Sequence, residues 1–309
     1  MSPAARARLH IHFCVFLWGF TAILGKLITL AALPLVWWRM LLVSGTLLLV
    51  PRVWRALRVV PLRLALAYAG IGVIVSLHWL TFYGAIKLAN ASVAATCIAV
   101  APLFLAFLEP LLARRRFELR ELLLALVVVP GVALVVDGVP AGMRLGVAVG
   151  VLSALLVATF SALNKRLVAH ADPLAVTALE LGAGAAFLTM LAPLLPHSGS
   201  AWPLPDAHDA LLLLILAYAC TLLPFALSLH ALRQVSAFSM QLITNLEPVY
   251  AIILAIVLLH EQRVLDARFY LGVMVILGAV FLHPLLSRRR RHEAQPELLA
   301  TAESKNLVD

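Results

Sequence analysis

The feature that most constrains this chain is its succession of apolar runs, each about 20 residues long and separated by short polar or arginine-bearing breaks. A run of that length crosses a hydrocarbon layer of ~30 Å when wound as a helix rising about 1.5 Å per residue. Lipid offers no partner to a backbone N–H or C=O, so the runs must be helices. Composition agrees. Hydrophobic residues make up 63% of the 309 and charged residues only 13%, against roughly 25% charged in an ordinary soluble domain. One soluble core could not hide that much apolar surface.

The expected spans are helix 1 at Ile11–Ile28, helix 2 at Leu35–Val50, helix 3 at Leu64–Leu88, helix 4 at Ser92–Ala113 and helix 5 at Glu121–Val136. The second set is helix 6 at Leu145–Leu163, helix 7 at Pro173–Leu195, helix 8 at Ala210–Leu229, helix 9 at Ser236–Leu259 and helix 10 at Phe269–Leu286. The start of the chain, with Arg6 and Arg8 before an apolar stretch, resembles a secretory signal. The stretch is long enough to span, so it is expected to stay as helix 1. Residues 1–10 are expected to be a cytoplasmic N-terminus and residues 287–309 a disordered cytoplasmic tail. The fold class expected is all-α integral membrane, with ten transmembrane helices.

Orientation follows from lysine and arginine, which concentrate on the cytoplasmic side. With the N-terminus inside, 18 of the 24 basic residues face the cytoplasm, among them Arg52, Arg55, Arg58, Arg114, Arg115, Arg116 and Arg288–Arg291. Four face out (Lys87, Arg144, Arg263, Arg268), and Lys26 and Arg39 fall within spans. A bias of 18 to 4 predicts that both termini are cytoplasmic in a multi-pass protein of the inner membrane. The net charge of +9 sits in short clusters between apolar runs rather than on one basic face, which argues against nucleic acid. Cys14, Cys97 and Cys220 lie inside apolar runs without metal-ligand spacing, and read as small packing residues. No metal and no cofactor are expected.

The two halves match when offset by about 146 residues. Ala85-Ile86-Lys87 meets Ala231-Leu232-Arg233, and Ala101-Pro102-Leu103-Phe104 meets Glu247-Pro248-Val249-Tyr250. Gly131-Val132-Ala133 meets Gly278-Ala279-Val280 with one residue of slippage. The first repeat is expected over residues 11–136 and the second over 145–286. Five helices per repeat is an odd number, so the second copy enters the membrane upside down. Inverted repeats of this kind place a substrate site near the midplane, where the halves meet.

Several residues carry this pattern. They are Trp18-Gly19-Phe20 in helix 1, Arg39 in helix 2, the stretch from Phe82-Tyr83-Gly84 to Asn90-Ala91-Ser92, and Glu247-Pro248 in helix 9. In them the chain resembles the EamA family of the drug/metabolite transporter superfamily. The resemblance covers about Phe13–Val136 and Leu145–Leu286. It implies two inverted five-helix repeats moving small metabolites by alternating access. The second copy departs from the pattern, with Ala158-Thr159 in place of the Trp-Gly pair.

Candidate functional residues follow from the cost of polar groups at bilayer depth. Glu247 stands near the centre of its span, where a charge costs about 3 to over 10 kcal/mol unless it faces a cavity or is neutralised. It therefore suits proton carriage, or else structural pairing. Gln241 and Asn245 share a face four residues apart, whereas Asn245 and Glu247 stand about 200° apart on an ideal helix. Arg39 offers a planar donor fork for a carboxylate or phosphate, with snorkelling beside Trp37 and Trp38 as the alternative. Its candidate ionic partners are Glu109, Glu180 and Glu247. Trp79 and Tyr83 share one face of helix 3 with His78 adjacent, and Trp18 offers a further ring; these could line a pocket or simply pack. Pro102 and Pro248 sit near the centres of helices 4 and 9 and read as kinks or hinges, each opposing the carbonyl four residues back.

Enzyme signatures are absent from the sequence: there is no P-loop and no Gly-x-Ser-x-Gly, and His260-Glu261 has no second His at zinc spacing. The expected function is secondary active transport, as an exporter of small metabolites such as amino acids or related organic anions or zwitterions. Its partners would be that substrate, the lipid bilayer and protons. A non-transporting scaffold and a membrane-embedded enzyme are the alternative classes.

Overall fold

The computed structural model describes residues 3–113, 119–167, 170–195, 200–224, 227, 243–244, 246–279 and 281. Every regular element among them is helical. Helices α1 (Pro3–Leu27), α2 (Ala32–Leu48), α3 (Pro51–Arg58), α4 (Leu62–Leu88), α5 (Ala91–Ile98), α6 (Ala101–Ala113) and α7 (Leu119–Asp137) form the first half. The second half holds α8 (Arg144–Leu167), α9 (Pro173–Leu191), α10 (Ala207–Leu222), α11 (Glu247–Leu259) and α12 (Ala267–Ala279).

Helical segments stand at all ten expected places. Five of them are long and apolar enough to cross a membrane, or six if the bent pair α2 and α3 counts as one span. The shorter apolar helices at Val128–Asp137, Ala207–Leu222, Glu247–Leu259 and Ala267–Ala279 fall below that length among the described residues. The chain is thus a multi-pass membrane protein, while ten full crossings are not reached by length alone.

Three differences from the expected spans have physical causes. The polar stretch after helix 2 is a helix of its own, α3, set at 87° to α2. Pro51 stands in its first turn, where a missing N–H costs nothing. Val53 is buried while Arg52 and Trp54 stay exposed, as suits a short amphipathic helix at a membrane surface. Expected helix 4 is interrupted at Ala99-Val100 and restarts as α6. Expected helix 9 likewise restarts at Glu247, with Pro248 in the first turn of α11. Pro102 and Pro248 each stand in the first turn of the segment that follows the interruption, and Ala91–Leu108 still counts as one span across it. The two restarts, at Ala101 and Glu247, keep the 146-residue offset of the sequence repeat.

The halves interleave. α4 of the first half packs most extensively on α8 and α9 of the second, α2 packs on α9, and α1 packs on α11. Gly19 permits the last crossing, since a Cβ there would lie 2.9 Å from Cβ of Tyr250. One large buried cluster unites both halves, with Tyr68, Tyr83 and Phe269 among its fully buried side chains.

At one end of the bundle, two buried carboxylates fasten the halves together. Asp209 accepts hydrogen bonds from the Thr29 N–H (2.9 Å), the Thr29 hydroxyl (2.7 Å) and the Leu30 N–H (3.1 Å). Glu261 accepts from the N–H groups of Ala91 (3.0 Å) and Ser92 (2.8 Å), the open start of α5. Asn90 completes that cap, its side-chain oxygen accepting from the Val93 N–H at 2.8 Å. His260 adopts the left-handed conformation (φ 54°) that closes α11 and brings Glu261 round. Lys87 Nζ donates to the Ile28 carbonyl at the same end. At the opposite end, Arg52 pairs with Asp172 at 3.0 Å in an exposed ion pair.

Asp209 stands just ahead of the eighth expected span. Burial opposes its charge, but the hydrogen bonds from Thr29 and Leu30, with His208 alongside, outweigh this and hold its carboxyl below the usual carboxylate range. The stabilisation it confers is therefore full above the ordinary carboxylate value and disappears as pH falls through the lowered one. Thermal unfolding of purified protein across the acid range should show this loss for wild type. The acid-dependent part should shrink in Asp209→Asn, which starts from a lower midpoint at neutral pH. Equal slopes in the two proteins would count against the latch.

Candidate functional site

The centre of the bundle is built on Arg39. It lies on α2, buried to 3% exposure, and does not snorkel to an interface. Its Nε donates to the Thr221 hydroxyl at 2.8 Å and its Nη1 to the Tyr83 hydroxyl at 2.8 Å. The guanidinium carbon sits 3.7 Å from the centre of the Trp79 ring, and 5.8 Å from that of Tyr83. A cation over a ring in a desolvated place is worth about 2 kcal/mol. The shared face of Trp79 and Tyr83 on α4 is thus the wall that holds the arginine. Trp37 and Trp38, the proposed snorkelling neighbours, are engaged elsewhere: Trp37 Nε1 donates to Thr189 (2.8 Å) and Trp38 Nε1 to the Pro203 carbonyl (3.0 Å).

Thr221 reaches Arg39 because of local backbone geometry. Residues Ile215–Leu222 of α10 form a π-helical stretch, and the Thr221 hydroxyl donates back to the Leu216 carbonyl five residues earlier at 2.7 Å. Such widened turns re-aim side chains and recur at functional sites. Thr221 received no role in the sequence reading. A lone threonine in an apolar run gives no signal of a π-turn.

Glu247 belongs to the same centre without pairing directly. Among the described residues Arg39 forms no ion pair within 4.0 Å, yet its charge is felt at Glu247. Glu247 opens α11 and lines a cavity of ≈ 10 Å³ with Trp18, Thr21, Phe82 and Pro248. That volume holds about one water. Trp18, Glu247 and Pro248 are therefore brought together, with Arg39, Trp79 and Tyr83 beside them.

Other candidates are placed elsewhere. His78 is buried against α8, its Nδ1 2.9 Å from the Ser153 hydroxyl and 3.0 Å from the Ser153 carbonyl. The Ser153 hydroxyl also lies 2.9 Å from the His78 carbonyl. The imidazole thus ties α4 to α8 rather than lining the cavity by Glu247. Glu180 pairs with Asn164, whose Nδ2 donates to Oε2 at 3.3 Å, and not with Arg39. Pro102 opens α6. Gln241 and Asn245, and the side chain of Glu109, lie outside the described residues.

Ser153, Asn164, Asp209 and Glu261 carry buried polar contacts that the sequence reading missed. For Glu261 a signal existed: a carboxylate in a tight loop between two apolar helices, with helix starts nearby that need an acceptor. For Ser153 and Asn164 none did, since each is a single small polar residue within an apolar run.

Interleaved helical halves around a buried arginine and a nearby carboxylate define a polytopic α-helical membrane protein of duplicated architecture. The model of the EamA-like transporter family matches residues 8–137 and again residues 144–284, and the chain belongs to that family. A crystal structure described only as that of a protein aligns with a TM-score of 0.60 at 18% identity, over 92% of this chain and 99% of that one. That likeness shows a shared fold. A comparison with curated protein sequences finds no significant match.

Proposed function

We propose that this protein is a secondary active transporter, exporting small metabolites such as amino acids or related organic anions and zwitterions across the inner membrane by alternating access. The observation that carries the reading is the buried guanidinium of Arg39. It is held by Tyr83, Thr221 and the Trp79 face, with Glu247 within its electrostatic reach. A permanent cation at that depth is expensive, and hydroxyl partners do not neutralise it. An anionic substrate group would do so, meeting the fork at the edge away from the two hydroxyls. Two of the five guanidinium donors hold the side chain in place and the fork stays planar, so a carboxylate or phosphate gains bidentate geometry.

In this reading the cytoplasm lies at the Arg52 end and the periplasm at the end latched by Asp209 and Glu261. The charge bias supports that orientation, and the latches then form the outer closure. Glu247 serves as the proton-coupling group: it releases its proton when Arg39 is empty and takes one when the substrate anion occupies the arginine. Repeat-matched helix starts at Ala101 and Glu247 supply the two elements that move, with Pro102 and Pro248 as hinges.

Glu247→Gln tests the coupling. It conserves volume and hydrogen-bonding capacity, so the fold should hold. Flux driven by a proton gradient in proteoliposomes should fall at least tenfold, while exchange of substrate without a gradient continues. Wild-type flux at every pH would make Glu247 structural.

A further inference from the structure

A second buried carboxylate, remote from Arg39, carries an inference of its own. Glu180 lies on α9, seven residues beyond Pro173 and so about 10 Å along the helix from its start, and is 5% exposed. Asn164 of α8 donates from Nδ2 to Glu180 Oε2 at 3.3 Å. The other oxygens of the two groups, Glu180 Oε1 and Asn164 Oδ1, are both buried and have no hydrogen-bond partner among the described residues. A buried acceptor left unsatisfied is costly, and the two belong to one hydrogen-bonded pair.

Two acceptors without a donor are what a carboxylate facing a carboxamide must show. One proton resolves both. Added to Glu180 Oε1, it supplies a donor that Asn164 Oδ1 can accept while Nδ2 keeps donating to Oε2. The result is the two-bond ring of a carboxylic acid with an amide. We infer that Glu180 and Asn164 form a proton-binding site, with Glu180 held as the neutral acid. The bond formed is Glu180 Oε1–H and the bond broken is one O–H of a hydronium ion, which leaves as water.

Among the described residues the surroundings supply no rival charge: on α8, Arg166 is exposed and turns its Nη1 to the Leu112 carbonyl at 3.4 Å, while the side chain of Lys165 lies outside the described residues. α4 presents Tyr68, whose hydroxyl is spent on the Leu167 carbonyl at 2.6 Å. It also presents Gly72, where a Cβ would strike the Glu180 carbonyl, so the backbones touch and exclude water. From α3, Arg52 is paired with Asp172 at the start of α9. The arginine of α2 is committed to Tyr83 and Thr221. Among the described residues no cation reaches Glu180, and a proton on its carboxyl neutralises it without one. This site goes beyond the transport reading and stands or falls without it, because its test needs no flux.

The test is infrared spectroscopy of the purified full chain in lipid nanodiscs at neutral pH, where ordinary carboxylates are ionised. Wild type should show the C=O stretch of a protonated carboxylic acid. That band should be lost in Glu180→Gln and kept in Glu247→Gln. Asn164→Leu, which removes the amide, should shift the band to higher frequency without abolishing it, and so reads the pair even where Glu180→Gln folds poorly. A band that survives Glu180→Gln in the Glu247→Gln background, or one unmoved by Asn164→Leu, would overturn the site. So would a band that vanishes on adding sodium or potassium chloride, which would make the two oxygens a metal-cation site.

Discussion

Arg39→Lys should lower the transport of carboxylate- or phosphate-bearing compounds by roughly tenfold to a hundredfold, the worth of one charge-assisted hydrogen bond of about 1.5–3 kcal/mol. Lysine keeps the charge but presents a compact ammonium, which cannot hold Tyr83, Thr221 and an oxyanion in one plane. It also loses the flat stacking of the guanidinium on Trp79. The protein should still insert and fold, because the cation persists and its stem is as long. Flux of neutral compounds, if any are carried, should change much less. Equal flux of anionic substrates by the two proteins would remove Arg39 from the substrate site, since snorkelling is already inconsistent with its position between Tyr83 and Thr221.

Glu261→Ala is expected to have the largest effect on stability. It strips the acceptor from two N–H groups at the start of α5, in a place where Ser92 and Ala91 are fully buried and water has no entry. Charge-assisted bonds to a helix N-terminus also gain from the helix dipole. The loss should be about 3 kcal/mol or more, read as a lower unfolding midpoint of the purified protein in detergent. Glu261→Gln, which keeps one acceptor, should lose less than Ala. A Glu261→Ala midpoint within error of wild type would mean that the cap contributes nothing. The same variant loosens the end of the bundle that the transport reading places outside.

Much of this architecture can be read from the chain. Apolar run length located the helical segments, because the solvent they must match has a fixed thickness. The matched Ala101-Pro102 and Glu247-Pro248 pairs marked the repeat, and the helices restart at those positions. What the prolines do was less legible. Apolar patterning does not distinguish a kinked helix from two helices abutting, and that outcome depends on neighbours that accept the freed carbonyls. The depth of Arg39 and its shared face of Trp79 and Tyr83 could be foreseen from helical spacing alone. Its partner Thr221 could not, since a π-turn in α10 decides where that hydroxyl points. Likewise the α4–α8 tie of His78 with Ser153 depends on how the two halves interleave, which no local pattern encodes.

The account rests on transport through a centre built on Arg39, and flux measures that most directly. Purified wild-type protein would be reconstituted in sealed vesicles with no nucleotide present, and the movement of a panel of metabolites followed down an imposed gradient. The account predicts saturable flux for at least one compound bearing a carboxylate or phosphate, competed by its close analogues and absent from protein-free vesicles. Folded, correctly inserted protein that moves no member of such a panel, with or without a proton gradient, would contradict it.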